Sequence, residues 1–231
     1  MEAARFCDAL GCMPGYECLN GDAKSAYTQS FLEGPKTWVS IPRHRWPPEW
    51  VGKYRNPVCP LVLALYGHTD SGTCWEVKCD KSMKKIGFEP ICWEWPGVYW
   101  HPQYKAMLVV YVDDFKLAAK VADQPKLWKM IREEIDMDEE TDDGVFLGCT
   151  NERFTAWVED VKEIFDCHPR YHPRKAPKDE GGNPQEADPI PRPYDSTKIV
   201  RGIKSDMRNY VDKCILNYCN LTGVDEATIR P

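Results

Sequence analysis

The 231-residue chain has no apolar run long enough to cross a membrane. It has eleven cysteines but no Cys-x-x-Cys pair, the spacing that marks structural zinc ribbons and fingers. Two looser sets remain as zinc candidates: Cys7, Cys12 and Cys18, or Cys167, His168 and His172. Their spacings do not fit paired ligands, and the competing reading is core or incidental thiols. The stretch Met1 to Met13 lacks both a basic start and an uninterrupted apolar core, so it is not expected to act as a secretory signal. Reduced cysteines and an intracellular location, cytoplasmic or nuclear, are therefore expected. A basic excess is also missing: 30 Lys and Arg face 36 Asp and Glu, a net charge of −6. That argues against a protein that coats nucleic acid. It does not exclude an enzyme acting on nucleic acid, because such enzymes gather acids at a metal site and bases along a groove. No internal repeat is present.

What the chain does have is apolar and aromatic material. At 42% apolar residues it can build a real core, one domain with an appendage. A short helix is expected over residues 3–10, and Tyr16-Glu17-Cys18-Leu19 reads as a strand leading to Asp22. Trp38, Trp46, Pro47, Pro48 and Trp50 make residues 36–54 an extended, looping segment. Trp75, Cys79, Met83 and Ile86 recur at helical spacing from Thr73, with Gly87 as the stop. Short strands are expected near Glu89–Trp93 and Val98–Trp100. Leu127, Met130, Ile131 and Ile135 mark a second helix face, and Val145 to Cys149 a compact strand. From His168 to Ser196 seven Pro and a Gly-Gly pair leave little to bury, which reads as a linker. Beyond it, Ile199, Ile203, Met207, Tyr210, Val211, Cys214, Ile215 and Tyr218 define an amphipathic helix ending at Gly223. The order of elements suggests an α+β domain with helices against one face of an antiparallel sheet.

Tyr111-Val112-Asp113-Asp114 is the most informative stretch. It lies between the apolar runs Met107–Val110 and Phe115–Ala119, a strand–turn–strand pattern with two acids at the tip. Acids on a stiff hairpin can hold a divalent metal for phosphoryl transfer. Turn acids also occur for backbone reasons alone. Asp142-Asp143, in a polar acidic loop, is the contrasting case and reads as a solvated turn.

A second block, Gly21-Asp22-Ala23-Lys24-Ser25-Ala26-Tyr27, places another acid after a short strand and an aromatic five residues later. Here the chain resembles the reverse transcriptases of copia-type LTR retrotransposons. Their first motif reads Asp-Val-Lys-x-Ala-Phe/Tyr and their second Tyr-Val-Asp-Asp. Leu65-Tyr66-Gly67 with Ser71 and Trp75 is similar to a further block of that family. Phe146-Leu147-Gly148 is similar to its Phe-Leu-Gly strand. The four matches fall in the family's order over residues 15–150.

The resemblance implies a polymerase palm-like antiparallel sheet and an RNA-directed DNA polymerase. Asp22, Asp113 and Asp114 would be the catalytic carboxylates, holding two Mg²⁺ ions (Mn²⁺ is possible) with the backbone carbonyl of Ala23. Tyr27 would be a steric gate against the 2′-hydroxyl; a core aromatic is the plain reading. Ser71 and Gly72 would lie against the incoming nucleotide, or Ser71 would cap a helix. Arg43, Arg45, Lys53 and Arg55, interleaved with Trp, are candidates for nucleic-acid contact. Lys81, Lys84 and Lys85 fit either a nucleic-acid groove or a solvated helix face. The implied partners are an RNA or DNA template-primer, dNTP and other segments of a Pol polyprotein, with no membrane.

Some positions depart from the family pattern. His68-Thr69-Asp70 stands where it carries Leu-Lys-Gln, Gly72-Thr73 where it carries Pro-Arg, and Thr28 where it carries Leu. Only twenty-one residues precede Asp22, where the family has a long fingers segment. The expected organisation is a truncated palm-like domain over 1–160, a Pro-rich linker over 161–196 and a helical piece over 197–231. The alternatives are a non-catalytic remnant that folds and binds nucleic acid or a partner, and an unrelated metal-dependent hydrolase using the same acids.

Overall fold

The computed structural model describes residues 2–142, 145–161 and 198–229. They divide into two compact units, residues 1–150 with 207–231, and residues 151–206.

The first unit is built on a five-stranded antiparallel sheet. In chain order its strands are β1 (Tyr16–Asp22), β4 (Glu89–Pro90), β5 (Val98–His101), β6 (Ala106–Tyr111) and β7 (Asp114–Lys120). In space they run β1-β7-β6-β5-β4. The strands β2 (Trp38–Ser40) and β3 (Val58–Pro60) form a separate two-stranded ribbon.

The sheet is covered on both faces because its central strands are apolar at successive positions. Side chains alternate across a strand. Leu108, Phe115, Leu117 and Ala119 therefore pack with Trp75, Cys79 and Met83 of α2 (Ser71–Lys85) and Leu127, Trp128 and Ile131 of α3 (Gln124–Glu134). Met107, Val109 and Ala118 face the other way, against Cys7 of α1 (Glu2–Gly11). The α+β class expected from the sequence is present. The expectation of helices on one face is corrected: α1 occupies the opposite face. Buried runs such as Met107–Val110 need cover on both sides.

One polar contact accompanies α1. Lys116 of β7 is buried, and its Nζ lies 2.6 Å from Asp8 Oδ1. Cys7 and Cys18, two of the zinc candidates, sit in this same core with their sulfurs 3.7 Å apart. Burial and the neighbouring Cys18 push the Cys7 thiol well up. The Cys79 thiol, buried under α2, is pushed up to about 12. Cys7 and Cys79 are core thiols held protonated. The set Cys167, His168 and His172 lies outside the described residues, as does most of the 161–196 linker.

Val145 to Cys149 is a hairpin rather than one strand. In it β8 (Val145–Phe146) pairs with the start of β9 (Cys149–Trp157). The turn residues Leu147 and Gly148 both have positive φ, 51° and 75°, the requirement of a type I′ turn. In the second unit β9 continues beside β10 (Ile199–Asp206). The expected helix from residue 197 is thus corrected at its start. The α4 helix spans Arg208–Thr222 and ends, as expected, at a left-handed Gly223. Residues 199, 203 and 207 fit a helical spacing, but β-branched Ile199 and Val200 also suit a strand. Gly202 lets the Phe154 ring of β9 approach closely: an added Cβ would lie 2.5 Å from it.

Candidate active site at the β6–β7 turn

Tyr111 and Asp114 are cross-strand partners, so Val112 and Asp113 form the two-residue turn. Val112 has φ 55°, a strained conformation for a β-branched residue. Two contacts hold it. Its side chain packs on the main core, and the indole Nε1 of buried Trp75 donates to its carbonyl at 2.7 Å. The sequence flagged Trp75 only by helical spacing and by its block; its hydrogen bond to the turn is a tertiary fact.

Asp22 is directly opposite Asp114 in the β1–β7 ladder. Directly opposed residues project to the same face with Cβ atoms about 4.5–5.5 Å apart. The Ala23 N–H donates to the Asp113 carbonyl at 2.8 Å, locking the end of β1 to the turn. Gly21 makes the entry possible: a Cβ there would lie 2.8 Å from the Trp128 ring of α3. Residue 22 and the adjacent residues 113 and 114, far apart in the chain, therefore meet at one end of one sheet.

Their electrostatics follow from that placement. Desolvation, then the Asp113 and Asp138 carboxylates, raise the Asp22 carboxyl above its ordinary range. Desolvation, then Asp113 and Asp22, do the same for Asp114. Asp138 had not been singled out in the sequence. The loop after α3 returns along β1, where Asn20 and Thr141 exchange two hydrogen bonds of 2.8 Å and Asp138 N–H donates to the Asp22 carbonyl. Lys24 Nζ lies 3.3 Å from Asp138 Oδ1 and 3.7 Å from Asp136 Oδ1. The only sequence signal was the acidic run 136–143, whose pairing partner is more than a hundred residues away.

No protein-family model matches the chain, and no curated protein is significantly similar to it.

Among the described residues no group of three or more His, Cys, Asp or Glu side chains is placed to hold a metal ion by itself. The donors at the turn are carboxylate oxygens, the chemistry a hard divalent cation takes when substrate supplies the remaining ligands. Hard oxygen ligands suit Mg²⁺, which is commonly held by one or two carboxylates with substrate phosphates completing the shell. Carboxyls raised by desolvation and by neighbouring carboxylates, as Asp22 and Asp114 are, form an arrangement that a cation relieves.

The remaining candidate residues are distributed as follows. Tyr27 follows left-handed Ser25 (φ 48°) and lies in a 3-10 turn, Ala26–Gln29. Its ring is half-buried against the main core and lies against that of Tyr66. Ser71 does not present its hydroxyl to solvent or cap its helix by a side-chain bond. It is fully buried, donating to the Leu65 carbonyl at 2.8 Å and accepting from the Leu65 N–H at 2.9 Å. Gly72 has open space around its missing Cβ. Arg43, Arg45, Lys53 and Arg55 are exposed on the segment joining β2 to β3. There the Arg43 guanidinium lies 5.9 Å from the Trp46 ring centre, and Lys53 Nζ 5.4 Å from that of Tyr54. Lys84 and Lys85 are ion-paired, with Asp80 and Glu134. Lys81 lines a cleft of about 270 Å³ with Phe31 and Val77.

Proposed function

We propose that the chain is the palm of a copia-type reverse transcriptase and carries out template-directed nucleotidyl transfer from dNTP to a primer 3′-hydroxyl. The observation that carries the reading is the register of Asp22 against Asp114, with Asp113 in the adjoining turn. That register brings the acids of two separate sequence motifs to one place.

In this reading Asp22, Asp113 and Asp114 hold Mg²⁺, with the Ala23 carbonyl as a further ligand. When bound, a pair of such ions activates the primer hydroxyl and stabilises charge on the departing pyrophosphate. The protein's part is orientation. Trp75 fixes the strained Val112 turn, and the Ala23–Asp113 bond fixes the first acid against the second and third. Lys24 ties down Asp136 and Asp138 beside Asp22. Tyr27, within the 3-10 turn that follows, is the steric gate. The exposed cations over Trp46 and Tyr54 suit stacking and phosphate contact with template-primer.

The test is primer extension on a poly(rA) template with dTTP and Mg²⁺. Incorporation is expected from the wild-type chain and should vanish in Asp113→Asn. Absence of incorporation by the chain, alone and when supplied with a fingers segment, would overturn the catalytic reading in favour of a non-catalytic nucleic-acid or partner-binding role.

A further inference from the structure

Tyr27 does not stand alone. Its ring centre lies 4.6 Å from that of Tyr66, the planes inclined at 38°. Aromatic pairs at this separation attract beyond their burial alone. Tyr66 is half-exposed, whereas Tyr27 packs on the core, so Tyr66 covers the outer side of the gate residue.

The contact is built by two segments stitched together. Leu32 N–H donates to the Val62 carbonyl and Ala64 N–H to the Ser30 carbonyl, each at 2.9 Å, around the Phe31–Leu63 bridge. Residues 30–32, just after Tyr27, therefore run antiparallel to 62–64, just before Tyr66. The Ser30 N–H and hydroxyl both bond back to the Tyr27 carbonyl, at 3.0 and 2.9 Å. At the other end the buried Ser71 hydroxyl grips both backbone groups of Leu65, the residue before Tyr66. His68 N–H adds a second bond to the Leu65 carbonyl at 3.0 Å. The backbone beside each ring is thus held by hydrogen bonds.

We propose that Tyr66 is a positioning residue for Tyr27, fixing the orientation in which that ring meets the sugar of an incoming nucleotide, and that Ser71 holds Tyr66 in place. This rests on the polymerase reading above. Ser71 then acts on nucleotide selection through Leu65 and Tyr66, without touching the nucleotide.

The measurement is kcat/KM for dTTP and for UTP in primer extension on poly(rA), with wild type, Tyr27→Ala, Tyr66→Ala, Tyr66→Phe and Ser71→Ala. Tyr66→Ala is expected to lower the dTTP/UTP preference by about tenfold or more, the scale of loss when a selecting group is misplaced. The loss should come mainly from improved use of UTP. Tyr66→Phe keeps the ring and should keep the preference, which a general loss of stability would not explain. Ser71→Ala should shift the preference in the same direction as Tyr66→Ala. If Tyr27→Ala relaxes the preference while Tyr66→Ala matches wild type, the positioning role is overturned and the polymerase reading stands. If the wild-type chain incorporates both nucleotides with no preference for dTTP, the gate and positioning roles are overturned and the polymerase reading stands. If it incorporates neither, alone and when supplied with a fingers segment, both are overturned.

Discussion

Two aspartates placed side by side weaken the fold they serve. Asp22 and Asp114 have raised pKa values, through desolvation first and neighbouring carboxylates second. The folded chain therefore holds these protons more tightly than the unfolded chain does. Between the ordinary value of 3.8 and the raised one, stability falls as pH rises, and above that window the loss is complete. Asp114→Asn removes one of the repelling charges. It should raise the urea midpoint at pH 7, with a gain on the order of 0.5–1 kcal/mol, as for other relieved surface charges. The gap between the variant and wild type should close as pH falls towards 4. Equal midpoints at pH 7 would show that the carboxylates do not strain the fold. The same substitution should abolish incorporation, the usual opposition of stability and activity at a charged site. Val112 is a second local cost, a β-branched residue at φ 55°. The Trp75 indole answers it from another element.

At the scale of elements, α1 is joined to the sheet by an ion pair inside an apolar layer. The Lys116 side chain is 3% exposed and that of Asp8 14%. Removing one partner of such a pair leaves an uncompensated buried charge and costs about 3–5 kcal/mol. Asp8→Asn should therefore lower the unfolding midpoint sharply. The double substitution Asp8→Leu with Lys116→Met should recover most of the loss, because it leaves no buried charge unpaired. Thermal denaturation of the three variants separates these outcomes, and a mild effect of Asp8→Asn would mean that α1 lets water reach Lys116. A charged residue within an apolar strand also explains why the two-sided sheet was hard to read. Phe115-Lys116-Leu117 looks like a strand with one solvated face, whereas Lys116 points into a second core and finds its counter-charge a hundred residues earlier.

For the whole molecule, with a net charge of −6, the proposed cation at the gathered carboxylates would act on stability as well as on catalysis. A ligand that binds only the folded state stabilises it by about 2.7 kcal/mol at a hundredfold excess over Kd. Mg²⁺ should therefore raise the melting temperature of the wild-type chain in a saturable way, and raise that of Asp113→Asn little. An equal rise in both would assign the effect to diffuse screening. Among the described residues no helix is long and apolar enough to cross a membrane.

The sequence by itself determined the local elements and the identity of the candidate acids. Short continuous apolar runs marked β6 and β7 and helical apolar spacing α2 and α3 to within a few residues, and strand–turn–strand patterning put Asp113 and Asp114 at a hairpin tip. These properties depend on neighbours a few positions away, which is the range that periodicity reports. Where the spacing was ambiguous, as at Ile199–Met207, the local pattern fitted both helix and strand, and pairing with β9 decided for the strand. Only the tertiary structure set Asp22 against Asp114, brought Asp138 to Asp22, turned the Ser71 hydroxyl onto Leu65 and laid Tyr66 against Tyr27. Each of these depends on ladder register and packing between segments distant in the chain, and a one-residue slip in register would send every side chain of a strand to the other face.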